Sequence, residues 1–191
     1  MKKDIILAGV GGQGVLSIAT IIAKAAVSQG FSVRQSEVHG MAQRGGAVLA
    51  HLRISDGKIY SDLVPRGGAD LIISMEPVES LRYLPWLSPS GAVVTASEAF
   101  VNIPNYPDLE GIYAAIRRLP RAHIVETQAL AKQAGLARAV NMVLVGAASH
   151  FLPIPAKEME GTICEIFASK DAAVVESNVV AFRLGRTAAE S

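Results

Sequence analysis

Hydrophobic and polar positions along the chain follow two rhythms. Short apolar runs alternate with longer stretches whose apolar residues recur at three- and four-residue spacing, the pattern of strands alternating with helices. Residues 3–8 predict a first strand around Ile5, Ile6 and Leu7. Residues 15–29 predict a helix, because Leu16, Ile18, Ala19, Ile22, Ala23 and Ala26 share a face and Gly30 can stop it. Residues 31–36 predict a second strand. Strand, helix and strand in that order form a βαβ unit, for which a parallel pair with a right-handed crossover is expected. Residues 47–54 alternate as a strand. Ser55, Asp56, Gly57 and Lys58 then read as a hairpin turn, with residues 59–64 expected to return antiparallel.

Strands at 70–74, 92–95 and 122–125 continue the pattern. Helices are expected at 75–84, 109–119, 126–135, 139–151, 155–168 and 170–187. The helix at 139–151 is apolar on nearly every side and is therefore expected to be buried. No repeat, low-complexity tract or domain boundary is visible. The expected fold is one α/β domain over residues 1–191: three layers, α/β/α, around a mostly parallel Rossmann-like sheet with an antiparallel hairpin.

Composition narrows the function classes. Half of the 191 residues are hydrophobic, 18% are charged and the net charge is +1, so there is no basic footprint for nucleic acid. No apolar stretch is long enough for a membrane span, and the N-terminal apolar run is too short for a signal peptide; a cytoplasmic protein is the default expectation. A chain this apolar often hides surface in a partner, either a second protein or a homodimer of the isolated chain. Cys164 is the single cysteine, which excludes a disulfide, zinc or iron–sulfur framework within the chain. Its apolar neighbours suggest a buried, inert thiol.

The strongest chemical signal is the turn after the first strand. Gly9, Gly11 and Gly14 match G-x-G-x-x-G, Gly12 adds a fourth glycine, and Gln13 lies among them. The first amides of a helix lack intrahelical partners and carry the positive end of its dipole. A glycine turn at that point lets a phosphate or carboxylate approach them. The alternative is a turn with a structural role only. A dinucleotide site would also need an acidic residue at the end of the second strand, a position Glu37 could fill.

A second polar loop follows, with Glu37, His39, Gln43, Arg44, Gly45 and Gly46 in close succession. In a doubly wound sheet it would converge with the glycine turn. Arg44 suits a phosphate or carboxylate, and His39 can exchange protons near neutrality. Subunit docking or a plain solvated surface are the alternatives. Asn141 opens the apolar helix, either as its cap or with its amide toward the crevice. His51 is expected to face solvent or a partner. Four scattered histidines make no metal site, and neither Ser17 nor Ser74 sits in a nucleophile motif.

Four segments together carry a family resemblance: residues 9–14, 37–46, 51–54 and 141–147. Gly9-Val-Gly-Gly-Gln-Gly14, the loop from Glu37 to Gly46, His51-Leu-Arg-Ile54 and Asn141-Met-Val-Leu-Val-Gly-Ala147 resemble the gamma-type domain of the 2-oxoacid:ferredoxin oxidoreductases. Within that family the second loop is most similar to the small (beta) subunits acting on indolepyruvate. The resemblance implies oxidative decarboxylation of a 2-oxoacid to an acyl-coenzyme A, with electrons passed to ferredoxin. It also implies thiamine diphosphate, magnesium and iron–sulfur clusters. This chain lacks the sequence signatures for all three, so a larger partner subunit would carry them. A stand-alone nucleotide- or coenzyme-binding module is the other reading. The resemblance implies that the glycine turn holds the coenzyme A pyrophosphate on the amides of Gly11, Gly12, Gln13 and Gly14, with Gln43 and Arg44 lining a path to the thiamine site.

Overall fold

The apolar run predicted as the first strand is the centre of β1 (Lys2–Val10), in which every residue from Asp4 to Val10 is buried. A strand covered on both faces can be apolar throughout rather than alternating. The structure, a computed structural model, describes residues 1–39, 45–101 and 104–190. After β1 come α1 (Val15–Ser28), β2 (Ser32–His39), β3 (Ala47–Ser55) and β4 (Ala69–Ser74). Next are α2 (Pro77–Arg82), β5 (Leu87–Ala96), α3 (Leu109–Arg117), β6 (Ala122–Val125) and α4 (Thr127–Gln133). The chain ends in α5 (Val140–Ala148), α6 (Ala156–Phe167) and α7 (Ala172–Ala188).

The strand order is β2-β3-β1-β4-β5-β6. β1, β4, β5 and β6 pair in parallel, whereas β3 is antiparallel to both β1 and β2. One face carries Ile5, Leu7, Leu52, Leu71, Ile73 and Val94 into a core with α1 and α5. α6 and α7 pack behind these two helices. The other face carries Ile6, Ala8, Ile72 and Val93 against Val64 and Tyr83, beneath α2, with α3 beside β6. The expected α/β/α layering is therefore present.

Two topological expectations are corrected. β2 does not pair with β1, because β3 lies between them. The antiparallel hairpin is β2–β3, and residues 59–64 form no strand. With β1 and β2 occupying both edges of β3, no edge remains for those residues. The 55–58 turn still forms, with the Gly57 amide donating to Ser55 Oγ at 3.0 Å. Residues 59–64 instead cross the sheet face, held by Arg53 Nη1 donating to the carbonyls of Ser61 and Leu63, both at 3.0 Å. The Val64 amide donates to His51 Nδ1 at 3.1 Å, so His51 is buried under this crossing rather than exposed. Cys164 is exposed rather than buried, since α6 turns Met159, Thr162 and Ile163 inward.

Two features fix the frame tightly. α5 and α7 cross with their backbones in contact: a Cβ on Gly146 would stand 1.9 Å from the Phe182 carbonyl oxygen. A Cβ on Gly185 would stand equally close, 1.9 Å, to that of Val143. In the sheet, the fully buried Asp4 accepts from Arg53 Nε at 2.8 Å and Nη2 at 3.1 Å, with Lys2 Nζ 2.9 Å away. Removing Arg53 leaves that buried carboxylate with the solvent-facing Lys2 ammonium as its remaining cation among the described residues. Arg53→Met is expected to lower stability by about 3 kcal/mol, measured by denaturant unfolding.

Burial, followed by the Arg53 charge, holds the His51 imidazole below its ordinary pKa. Burial does the same to His123, aided by His150 and Arg121. The unfolded chain takes up these protons below about pH 6.5, while the folded chain resists them. The associated stability is present above that pH and is lost as the pH falls. Unfolding free energy is therefore expected to decline from about pH 7.5 to about pH 5.5, less steeply in His51→Gln.

Candidate functional site

β1 and β4 run side by side, but the chain leaves them in opposite directions, toward β3 and β2 on one side and toward β5 and β6 on the other. Such a switch point opens a crevice beyond the carboxyl ends of the strands. The glycine turn lies there, between Val10 and α1. The Gln13 side chain binds the two strand ends together. Its Oε1 accepts from the Val10 amide at 2.7 Å, and its Nε2 donates to the Met75 carbonyl at 3.2 Å.

The turn has only part of the donor set expected of it. The Gly11 amide donates to the Gly46 carbonyl at 2.8 Å, and the Gln13 amide donates to the Val10 carbonyl at 3.1 Å. Those two amides are engaged in holding the turn and do not face a ligand. The amides of Gly12, Gly14, Val15 and Leu16 donate no hydrogen bond among the described residues. Gly14 has φ +83°, and a Cβ there would meet Asn141 Nδ2 at 2.6 Å, so both conformation and space require glycine.

Asn141 does not cap α5, which begins at Val140 with Ala139 as its flanking residue. Its Nδ2 donates instead to the Gly14 carbonyl at 3.1 Å, while its Oδ1 is buried without a partner. The side-chain amide is thereby turned onto the glycine turn that borders the groove. The second loop also reaches the turn as expected. Besides the Gly11–Gly46 bond, the Gly45 amide donates to the Gly11 carbonyl at 3.1 Å. Gln43, Arg44 and the His39 side chain lie outside the described residues.

Gly9 and Glu37 lie elsewhere. Gly9 is inside β1, opposite Val48. Glu37 is within β2 opposite Ala50, two residues before the strand ends, with β3 between it and β1. The acidic residue of a dinucleotide site sits on the strand next to the glycine-turn strand. That arrangement is not reproduced here.

A groove of about 640 Å³ runs from Gly12 and Gly14 past Asn141 to Lys132 and Arg138. Both cations are exposed, and neither makes an ion pair or hydrogen bond among the described residues. The groove's carboxylate, Glu98, is already engaged: Oε2 accepts from Thr127 Oγ1 at 2.8 Å and Oε1 from the Gln128 amide at 2.6 Å. The field along the groove is therefore positive. The sequence reading did not single out Lys132, Arg138 or Glu98. Their roles arise from the way β5 and β6 place three separate segments around one crevice.

Glu76 secures the rim. At the start of α2 its Oε2 accepts from the Glu79 amide at 2.9 Å, and its Oε1 accepts from the Phe100 amide at 3.3 Å and from the Tyr106 hydroxyl. Burial, with the bond to Glu76, pushes the Tyr106 hydroxyl far above its usual pKa, so it remains a donor.

Comparison with known proteins agrees with this architecture. Residues 4–188 match the family described as pyruvate ferredoxin/flavodoxin oxidoreductase. The Archaeoglobus fulgidus indolepyruvate oxidoreductase subunit IorB is 37% identical, over 97% of this chain and 94% of its own. The fold is also that of the keto/oxoacid ferredoxin oxidoreductase gamma subunit from Geobacter sulfurreducens, with TM-score 0.71, 23% identity and 98% of each chain covered. It is found again in the 2-oxoglutarate:ferredoxin oxidoreductase of Magnetococcus marinus, solved with 2-oxoglutarate, coenzyme A and succinyl-CoA bound. There the TM-score is 0.77 at 23% identity, over 99% of this chain but 31% of that longer one. The chain belongs to the pyruvate ferredoxin/flavodoxin oxidoreductase family.

Proposed function

We propose that this chain is the small subunit of a cytoplasmic 2-oxoacid:ferredoxin oxidoreductase, with indolepyruvate or a related aryl pyruvate as substrate. It acts as one domain over residues 1–191, and its own task is to hold coenzyme A. The observation that carries this reading is the pair of unengaged amides at Gly12 and Gly14, residues that line a groove with two unpaired cations. A diphosphate complements both features: backbone donors take its oxygens, while Arg138 offsets its charge. The buried Asn141 Oδ1 offers an acceptor to a ligand N–H or O–H.

The second loop gives the coenzyme a direction. It joins the turn through Gly45 and Gly46, and in this reading the pantetheine arm runs out on that side toward a larger partner subunit. In this reading that subunit supplies decarboxylation through thiamine diphosphate and magnesium, and electron transfer to ferredoxin through iron–sulfur clusters. One cysteine cannot hold such a cluster, and the described residues contain no group of three or more metal-ligating side chains. This chain binds the coenzyme and orients its thiol; the bond making belongs to the assembled enzyme.

Two outcomes are expected. A tagged copy of the chain purified from its own host carries a larger, iron-bearing chain; recovery of a homo-oligomer with activity of its own would favour a stand-alone coenzyme-binding module. In the assembled enzyme, Gly12→Asp weakens coenzyme A binding at least about tenfold in calorimetric titration, and Gly12→Asn weakens it less. The two variants strain the turn alike, with φ +100° and no atom within 4 Å of the added Cβ. The difference between them therefore isolates the charge, and equal affinities would reject the site.

A further inference from the structure

The glycine turn lies in the middle of the sheet rather than at an end, so a ligand gripped there has two sides to occupy. On the β3 side the turn meets the second loop. On the β4 side the groove passes the ends of β4, β5 and β6 and continues into a second one, of about 740 Å³. The two share Glu98, Gln128 and Lys132, so they form one trough. At about 4.8 Å between strands, the run from β1 to β6 is roughly 14 Å.

The second groove has a composition of its own. Lys132 stands at the seam, on the exposed side of α4. Farther along, the Arg117 guanidinium lies 5.6 Å from the Tyr113 ring centroid, with Ile124 of β6 also in the lining. Glu98 and Glu126 are the carboxylates here, and Glu98 is held by the Thr127 hydroxyl and the Gln128 amide. Two cations and two carboxylates line this groove, and Lys132 makes no ion pair among the described residues. An aromatic ring under a guanidinium beside aliphatic surface suits a purine, and an unpaired lysine suits a phosphomonoester.

We propose that this second groove receives the 3′-phosphorylated adenosine end of the coenzyme, with Lys132 paired to the 3′-phosphate and the purine lying along Tyr113 and Arg117. The inference rests on the coenzyme reading above and deepens it by fixing the ligand's polarity across the sheet: nucleoside toward β6, pantetheine toward β2. It also makes Lys132 the residue that tells coenzyme A from a nucleotide without a 3′-phosphate.

Calorimetric titration of the assembled enzyme tests this with coenzyme A and with dephospho-coenzyme A, which lacks only the 3′-phosphate. The wild type is expected to bind coenzyme A about tenfold more tightly than dephospho-coenzyme A. In Lys132→Ala and Lys132→Gln that preference disappears, while dephospho-coenzyme A binds as in the wild type. Equal wild-type affinities for the two ligands, or an equal loss for both in the Lys132 variants, would overturn the subsite and leave the coenzyme reading standing. No binding of either ligand by the wild type would overturn both.

Discussion

The site depends on the contact between Asn141 and the Gly14 carbonyl. This bond ties the first turn of α5 to the turn that follows β1, two points far apart in sequence. Its arithmetic is unusual. A neutral hydrogen bond of this kind contributes about 1 kcal/mol, whereas a buried acceptor without a partner costs about 1–3 kcal/mol. Asn141 has one of each, so stability does not explain its place. What it does is set the α1 N-terminus at a fixed distance from the loop carrying Arg138. Gly14 makes the approach feasible, because any side chain there would collide with the Asn141 amide.

Charge is distributed to the same end. Several cations of the sheet and helices face a carboxylate: Arg53 with Asp4, Arg82 with Glu79, Arg183 with Glu160 and Lys24 with Glu165. Lys132 and Arg138 do not, and the acid nearest to them in the groove is turned onto the start of α4. A helix N-terminus satisfied by a side chain offers nothing to a ligand, so α4 is closed and α1 remains open.

Much of this was legible in the sequence, for identifiable reasons. The buried parallel strands and the amphipathic helices declare themselves by periodicity, and β6 at 122–125 falls where its pattern puts it. The glycine turn declares itself by composition. Pairing partners are not written locally: the alternation in 47–54 announces a strand but not that β1 claims one of its edges, so residues 59–64 were assigned a ladder they never join. His51 followed that error, since its burial depends on where those residues lie. At the site, the amide count was overestimated because the loop's own hydrogen bonds engage Gly11 and Gln13. Lys132 and Arg138 read as ordinary surface charges, and only the meeting of β5, β6 and α5 gives them an address.

The placement of β3 has a consequence for how the chain is made. β1 emerges from the ribosome before either of its neighbours, one of which ends at Ser55 and the other at Ser74. That segment, among the most water-averse of the chain, must therefore wait for roughly 45 further residues, from Val10 to Ser55, before its backbone is fully paired on either edge. During that interval it is the part of the nascent molecule most in need of a chaperone or of its own α1.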